Sequence, residues 1–129
     1  MTSIVGTWRL VEATATNAEG IALAPPYGPS PMGILVITAN GRIMATACDG
    51  GAELPAGQVK RAFSSYCGSY SFDGETLVIR VDAAVPAELM AEEQRRYVSF
   101  EGDRLVLRPS PQPAAGRVGH RRLVWERLS

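Results

Sequence analysis

Gly6-Thr7-Trp8-Arg9-Leu10 opens an ordered strand almost at the start of the chain and sets a glycine two residues before a tryptophan. Residues two apart on a strand share a face, so Gly6 and Trp8 point the same way. The absent side chain at Gly6 leaves room for an indole to lie across the floor of a closed sheet. The matching piece is at the far end, where Leu123-Val124-Trp125-Glu126-Arg127-Leu128 offers a last strand whose Arg127 can stack on that indole. First and last strands are then neighbours, which is the condition for a sheet to close on itself.

Between these two strands the apolar residues fall in short runs rich in Val, Ile, Leu and aromatics, punctuated by Gly, Pro and Asx-Gly pairs. The first strand covers Val5 to Ala13 and is followed by a polar connection through Asn17, Glu19 and Gly20. Pro25-Pro26-Tyr27-Gly28-Pro29-Ser30-Pro31 holds four prolines in seven residues. It is too stiff and too poor in donors for a sheet interior, and it suits a fixed loop at a barrel mouth. Met32 to Thr38 and Arg42 to Ala47 form a hairpin about Asn40-Gly41. The same reasoning pairs Tyr66 to Phe72 with Thr76 to Asp82 across Asp73-Gly74, and Gln94 to Phe100 with Arg104 to Arg108 across Gly102-Asp103. Val59, Ala62, Phe63 and Tyr66 recur at helical spacing, which predicts a short helix over Gln58 to Tyr66 lying across one barrel opening. Pro86 to Glu93 reads as a loop or a single helical turn. Pro109 to Gly119 is a long connection before the closing strand at His120 to Leu128. Eight antiparallel strands left as an open sheet would have two bare edges, and closure removes both. The expected fold is therefore all-β, a closed eight-stranded antiparallel barrel with one short helix, in a single domain over residues 1–129; a two-sheet sandwich is the alternative.

Composition narrows the function. Thirteen basic and thirteen acidic residues cancel, with no long run of either sign, so neither nucleic acid nor an anionic membrane is an expected partner. Met1-Thr2-Ser3 lacks the basic region of a signal peptide and no apolar run approaches a membrane span, which points to a cytoplasmic protein. Two cysteines, Cys48 and Cys67, with the single His120 make neither a disulfide framework nor a metal site. Glycine loops for phosphate and Ser-His-acid motifs are absent. The chemistry that remains needs neither metal nor cofactor.

Read in order, several segments together resemble the small bacterial and fungal lipocalin-like domain proteins of the calycin group. They are Val5-Gly6-Thr7-Trp8-Arg9-Leu10-Val11, then Tyr27-Gly28-Pro29 with Gly33, then Thr38-Ala39-Asn40-Gly41-Arg42 and Gly68-Ser69-Tyr70 leading to Asp73. Gln94-Arg95-Arg96-Tyr97, Gly102-Asp103-Arg104-Leu105 and Arg122-Leu123-Val124-Trp125-Glu126-Arg127 complete the set. The resemblance implies a small closed barrel with a central apolar pocket, in a group that includes small-molecule carriers and cofactor-free cyclases and isomerases. The chain departs from the family pattern at Val78-Ile79-Arg80-Val81, where histidines are common, and at Pro86-Ala87-Glu88.

Alternate residues of a barrel strand face inward, so the strand phase names the candidates. Tyr66, Gly68, Tyr70 and Phe72 share one face; turned inward, the tyrosines offer ring area and a hydroxyl donor, or are ordinary core aromatics. One arginine of Arg95-Arg96 must face in, and Arg96, with Arg80, is the candidate for holding a carboxylate or polarising a carbonyl. Arg80 alternatively serves the surface. Asp49 and Glu88 lie in loops from which a carboxylate can reach the mouth as a base. His120, beside Arg121 and Arg122, reads as exposed, and Cys67 lacks a neighbouring base. Tyr70, Arg96, Tyr66, Asp49 and Glu88 are thus the catalytic candidates. Tyr27, Leu35, Phe63 and Phe72, with Arg80, Tyr97 and Trp125, are the expected ligand-binding wall.

Three functional expectations follow. One is a cofactor-independent cyclase, isomerase or dehydratase acting on an apolar polyketide-like or terpenoid-like metabolite of secondary metabolism. The second is a non-catalytic carrier or sequestering protein for such a molecule. The third is a barrel filled by its own side chains that acts through its surface or a homodimer interface.

Overall fold

The computed structural model describes residues 3–53, 57, 61–109, 112–114 and 117–129, the backbone alone for 112–114 and 117–119. Among the described residues nine strands run in chain order: β1 (Gly6–Thr16), β2 (Pro31–Ile37), β3 (Arg42–Asp49), β4 (Phe63–Phe72), β5 (Thr76–Val85), β6 (Gln94–Glu101), β7 (Arg104–Pro109), β8 (Gln112–Ala114) and β9 (Arg117–Arg127). Each strand from β1 to β6 pairs antiparallel with the next, β7 pairs with β9, and β9 returns to β1. Eight strands therefore close the barrel. The ninth, β8, pairs only with the start of β9 and occupies part of the segment read as a plain connection.

All three Asx-Gly or Gly-Asx turns form as predicted. Gly41, Gly74 and Gly102 take φ of 92°, 103° and 62°, values that a side chain disfavours and a tight hairpin requires. These turns lie at one end of the barrel, with both chain termini. The long connections lie at the other end. One end is thus tightly closed and the other is framed by loops.

The predicted helix over Gln58 to Tyr66 is not present as such. Phe63 to Tyr66 belong to β4, paired with Ala45 to Cys48 of β3, and residues 58–60 lie outside the described residues. The i, i+4 spacing of apolar residues was shared by an alternation in which Ser64 and Tyr66 face in. Pairing with β3 on one edge, and with β5 from Ser65 onward on the other, gives these residues backbone partners where an isolated two-turn helix would be marginal. The short turn is instead a 3-10 turn at Ala87–Met90, where a loop or single turn was expected.

Two bulges set the phase of the strands. The β1–β9 register shifts between Leu10 and Glu12, and the β4–β5 register between Cys67 and Gly68. After the first, Ala13 rather than Glu12 turns inward and is buried. At the second, a Cβ on Gly68 would sit 2.0 Å from the Arg80 carbonyl oxygen, so only glycine lets the two strands approach at this corner.

The core fills the closed end with Trp8, Leu10, Leu35, Ile37, Leu77, Ile79 and Leu105. Trp8 Nε1 donates to the Ile4 carbonyl at 2.9 Å. The Arg127 guanidinium lies 4.2 Å from the Trp8 ring centroid, the stacking that the two terminal strands predicted. The role of Gly6 differs from the expectation. A Cβ there would meet Arg127 Nη1 and the Ser129 carbonyl oxygen, each at 2.5 Å, so the space it leaves admits the last strand's guanidinium rather than the indole itself.

Candidate functional site

At the loop end the core gives way to a cavity of about 330 Å³, at the small end of the range for ligand sites. Its floor is Leu35, Leu107, Leu123 and Trp125, and its walls include Ala47, Phe63 and Tyr66. Pro26 and Tyr27 of the proline-rich loop and Pro86 and Leu89 about the 3-10 turn line its rim. The stiff loop thus stands at the mouth where the sequence placed it.

Strand phase decides which polar groups reach the cavity. On β3, Ile43, Ala45 and Ala47 point inward, and their partners Gly68, Tyr66 and Ser64 do the same on β4. On β6, Arg96 is paired with Pro109 and Val98 with Leu107, so Arg96 faces in while Arg95 and Tyr97 face solvent. On β9, Arg121, Leu123 and Trp125 share the inner face, with Arg121 at the rim.

Tyr66 and Arg96 form the chemical centre of the cavity. Burial pushes the Tyr66 hydroxyl above the ordinary phenol range, and the positive charge of Arg96 beside it offsets part of that rise. At neutral pH the phenol keeps its proton and serves as a donor. Tyr27 hydroxyl and Ser64 Oγ are hydrogen-bonded to each other at 2.8 Å. Arg96 Nη1 donates to the Arg95 carbonyl at 3.0 Å, and no carboxylate pairs with it among the described residues. Trp125 is buried and its Nε1, which has no accessible surface, meets no hydrogen-bond partner among the described residues, a condition that costs about 1–3 kcal/mol.

The structure brings together Tyr27, Leu35, Phe63, Tyr66, Arg96 and Trp125 of the sequence candidates. The others lie elsewhere. Tyr70 packs on the core and its hydroxyl donates to the Thr38 carbonyl at 2.6 Å, near the closed end. Phe72 also packs on the core, paired with Leu77 beyond the cavity. Arg80 is on the outer face, where its Nε meets Glu93 at 3.1 Å, and Tyr97 is exposed. Glu88 is an exposed residue of the 3-10 turn. Asp49 is only 3% exposed, but its carboxylate accepts from the Gly51 amide at 2.8 Å. It also abuts Gly28, so it braces the mouth loops instead of lining the cavity. Arg121 and Ser64 were missed, although the alternation Arg121-Leu123-Trp125 was available in the sequence. His120 is exposed, both cysteines are free thiols, and no metal-ligating cluster occurs among the described residues. No described helix is long and apolar enough to cross a membrane.

A comparison with curated protein sequences gives no match. The profile of the lipocalin-like domain matches residues 5–128, from the strand of Trp8 through that of Arg127. With its barrel closed between those two strands and a cavity at its open end, the chain belongs to the lipocalin-like domain family.

Proposed function

We propose that the barrel takes up one small, largely apolar organic molecule through its loop end and polarises an oxygen of it with Tyr66 and Arg96. The observation that carries this reading is a cavity with apolar walls in which a protonated phenol and an unpaired guanidinium stand together. Such donors stabilise negative charge developing on a carbonyl oxygen, and the walls hold a flexible chain in a folded conformer. The chemistry that fits is cofactor-independent cyclisation or isomerisation of a polyketide-like or terpenoid-like substrate. Dehydration fits less well, because no carboxylate or imidazole lines the cavity to act as base. That same lining, without a carboxylate or imidazole, favours a second reading, a carrier that binds without turnover.

Native mass spectrometry of protein purified from its own host, followed by extraction, identifies the retained molecule. That molecule is then incubated with fresh protein and with a Tyr66→Phe, Arg96→Leu double variant. An enzyme converts it, and the double variant loses about 100-fold or more of the rate, the scale set by removing a single oxyanion donor. Unchanged turnover in a folded double variant refutes the assignment of the centre. Binding with no conversion by either protein establishes the carrier.

A further inference from the structure

The distribution of charge deepens the proposed binding function and rests on the same cavity. We propose that the ligand carries one anionic oxygen group, in the simplest case a carboxylate, seated against Arg96 and Tyr66, with an apolar body along Leu35, Leu107, Leu123 and the Trp125 ring.

The thirteen acidic residues all lie among the described residues, and none of them lines the cavity. Those that pair with arginine do so on the outside of the barrel: Glu126 with Arg9, Asp82 with Arg42, Glu93 with Arg80, and both Glu12 and Glu101 with Arg122. Asp49 and Asp73 cap backbone amides of turns. The cavity holds the opposite sign, with Arg96 inside and Arg121 at the rim. The half-buried Arg96 guanidinium donates to the Arg95 carbonyl and meets no carboxylate of the chain, so its charge is open to a ligand anion. Its planar fork of donors is matched by a carboxylate more closely than by any neutral group.

Tyr66 points to the same ligand. Its phenol stays protonated and lines the cavity with Arg96, offering an anionic oxygen a second donor beside the guanidinium. A neutral alcohol or amide can accept from one of them but leaves the guanidinium charge uncompensated.

The test compares matched neutral and anionic probes at pH 7: octanoate against octanamide, and 2-naphthoate against 2-naphthamide. Affinity is measured by calorimetry, and the two indole N–H resonances are followed in ¹⁵N-labelled protein. At least one carboxylate is expected to bind tenfold or more tightly than its amide. It should shift the Trp125 resonance and leave that of Trp8 in place. Arg96→Leu should bring the two affinities within threefold, while Arg96→Lys should keep part of the preference. Amides that bind as tightly as the carboxylates to the unaltered protein overturn the inference and leave the cavity reading intact. Failure of all four probes to bind removes both.

Discussion

Gly6→Ala is a small change with a large expected cost. Gly6 has φ of 148°, a region that L-residues rarely adopt, and an alanine held there carries about 2 kcal/mol of backbone strain. Its methyl would also lie 2.5 Å from Arg127 Nη1 and from the Ser129 carbonyl oxygen, so the guanidinium must leave. With it go the stacking on Trp8 and the donation from Nη1 to the Val5 carbonyl at 2.8 Å. At an exposed site those contacts together are worth about 1–2 kcal/mol. Gly6→Ala should therefore lower the free energy of unfolding by about 3–4 kcal/mol, and Arg127→Ala alone by about 1–2 kcal/mol. In the double variant the contact is lost only once, so its cost should fall short of the sum by about 1–2 kcal/mol. Urea unfolding followed by tryptophan fluorescence measures all four corners of the cycle. A Gly6→Ala cost under about 0.5 kcal/mol, or strict additivity with Arg127→Ala, refutes the view that Gly6 admits the closing arginine.

Gly28→Ala should weaken the mouth, because φ there is 72° and a Cβ would sit 2.7 Å from Asp49 Oδ2. A loss of about 1–3 kcal/mol is expected in thermal unfolding, with a larger loss of ligand affinity than Gly6→Ala causes. Tyr66 and Tyr70 both have hydroxyls raised above the ordinary phenol range, chiefly by burial. Titration of the four tyrosines at 295 nm should resolve late-ionising groups, one of which disappears in Tyr66→Phe. Because the folded pKa is the higher one, the stability linked to Tyr66 is full below about pH 10 and is lost as pH rises through the raised value. Asp73 is shifted the other way, held low by the Thr76 and Glu75 amides. Its contribution is present above the usual aspartate range and disappears as pH falls through the depressed value. Asp73→Asn should therefore lower the melting temperature at pH 7 and leave it nearly unchanged at pH 2.

The fold was largely legible because its signals are local. Asn40-Gly41, Asp73-Gly74 and Gly102-Asp103 mark hairpins by backbone chemistry that needs no distant partner, and alternation along Tyr66 to Phe72 set the inward face of that strand. The helix over Gln58 to Tyr66 failed where a period of 3.6 and a period of 2 competed over a few residues. The hydrogen-bonding edge of β3, which decided between them, is far away in sequence.

The site was legible by phase but not by depth. Alternation put Tyr66, Tyr70 and Phe72 on one face; on the sixth strand it required one of Arg95 and Arg96 to face in and left open which. It could not say how far along the barrel the core ends and the cavity begins. Tyr66 therefore borders the cavity while Tyr70, four residues further along β4, is tied to the Thr38 carbonyl at the closed end. Asp49 shows the same limit from the other side, since its burial depends on Gly28 arriving from a loop more than twenty residues away.

The sequence alone determined the strand count of the barrel, its three tight turns, the meeting of Trp8 with Arg127 and the inward face of the strand from Tyr66 to Phe72. Each of these follows from turn chemistry or side-chain alternation within a few residues. Tertiary structure alone decided the two bulges, the boundary between core and cavity, the pairing of five carboxylates with arginines outside the barrel, and the Trp125 N–H that has no partner among the described residues. Those depend on which residues far apart in the chain come within a few ångströms of one another, and closure of the sheet is what sets that.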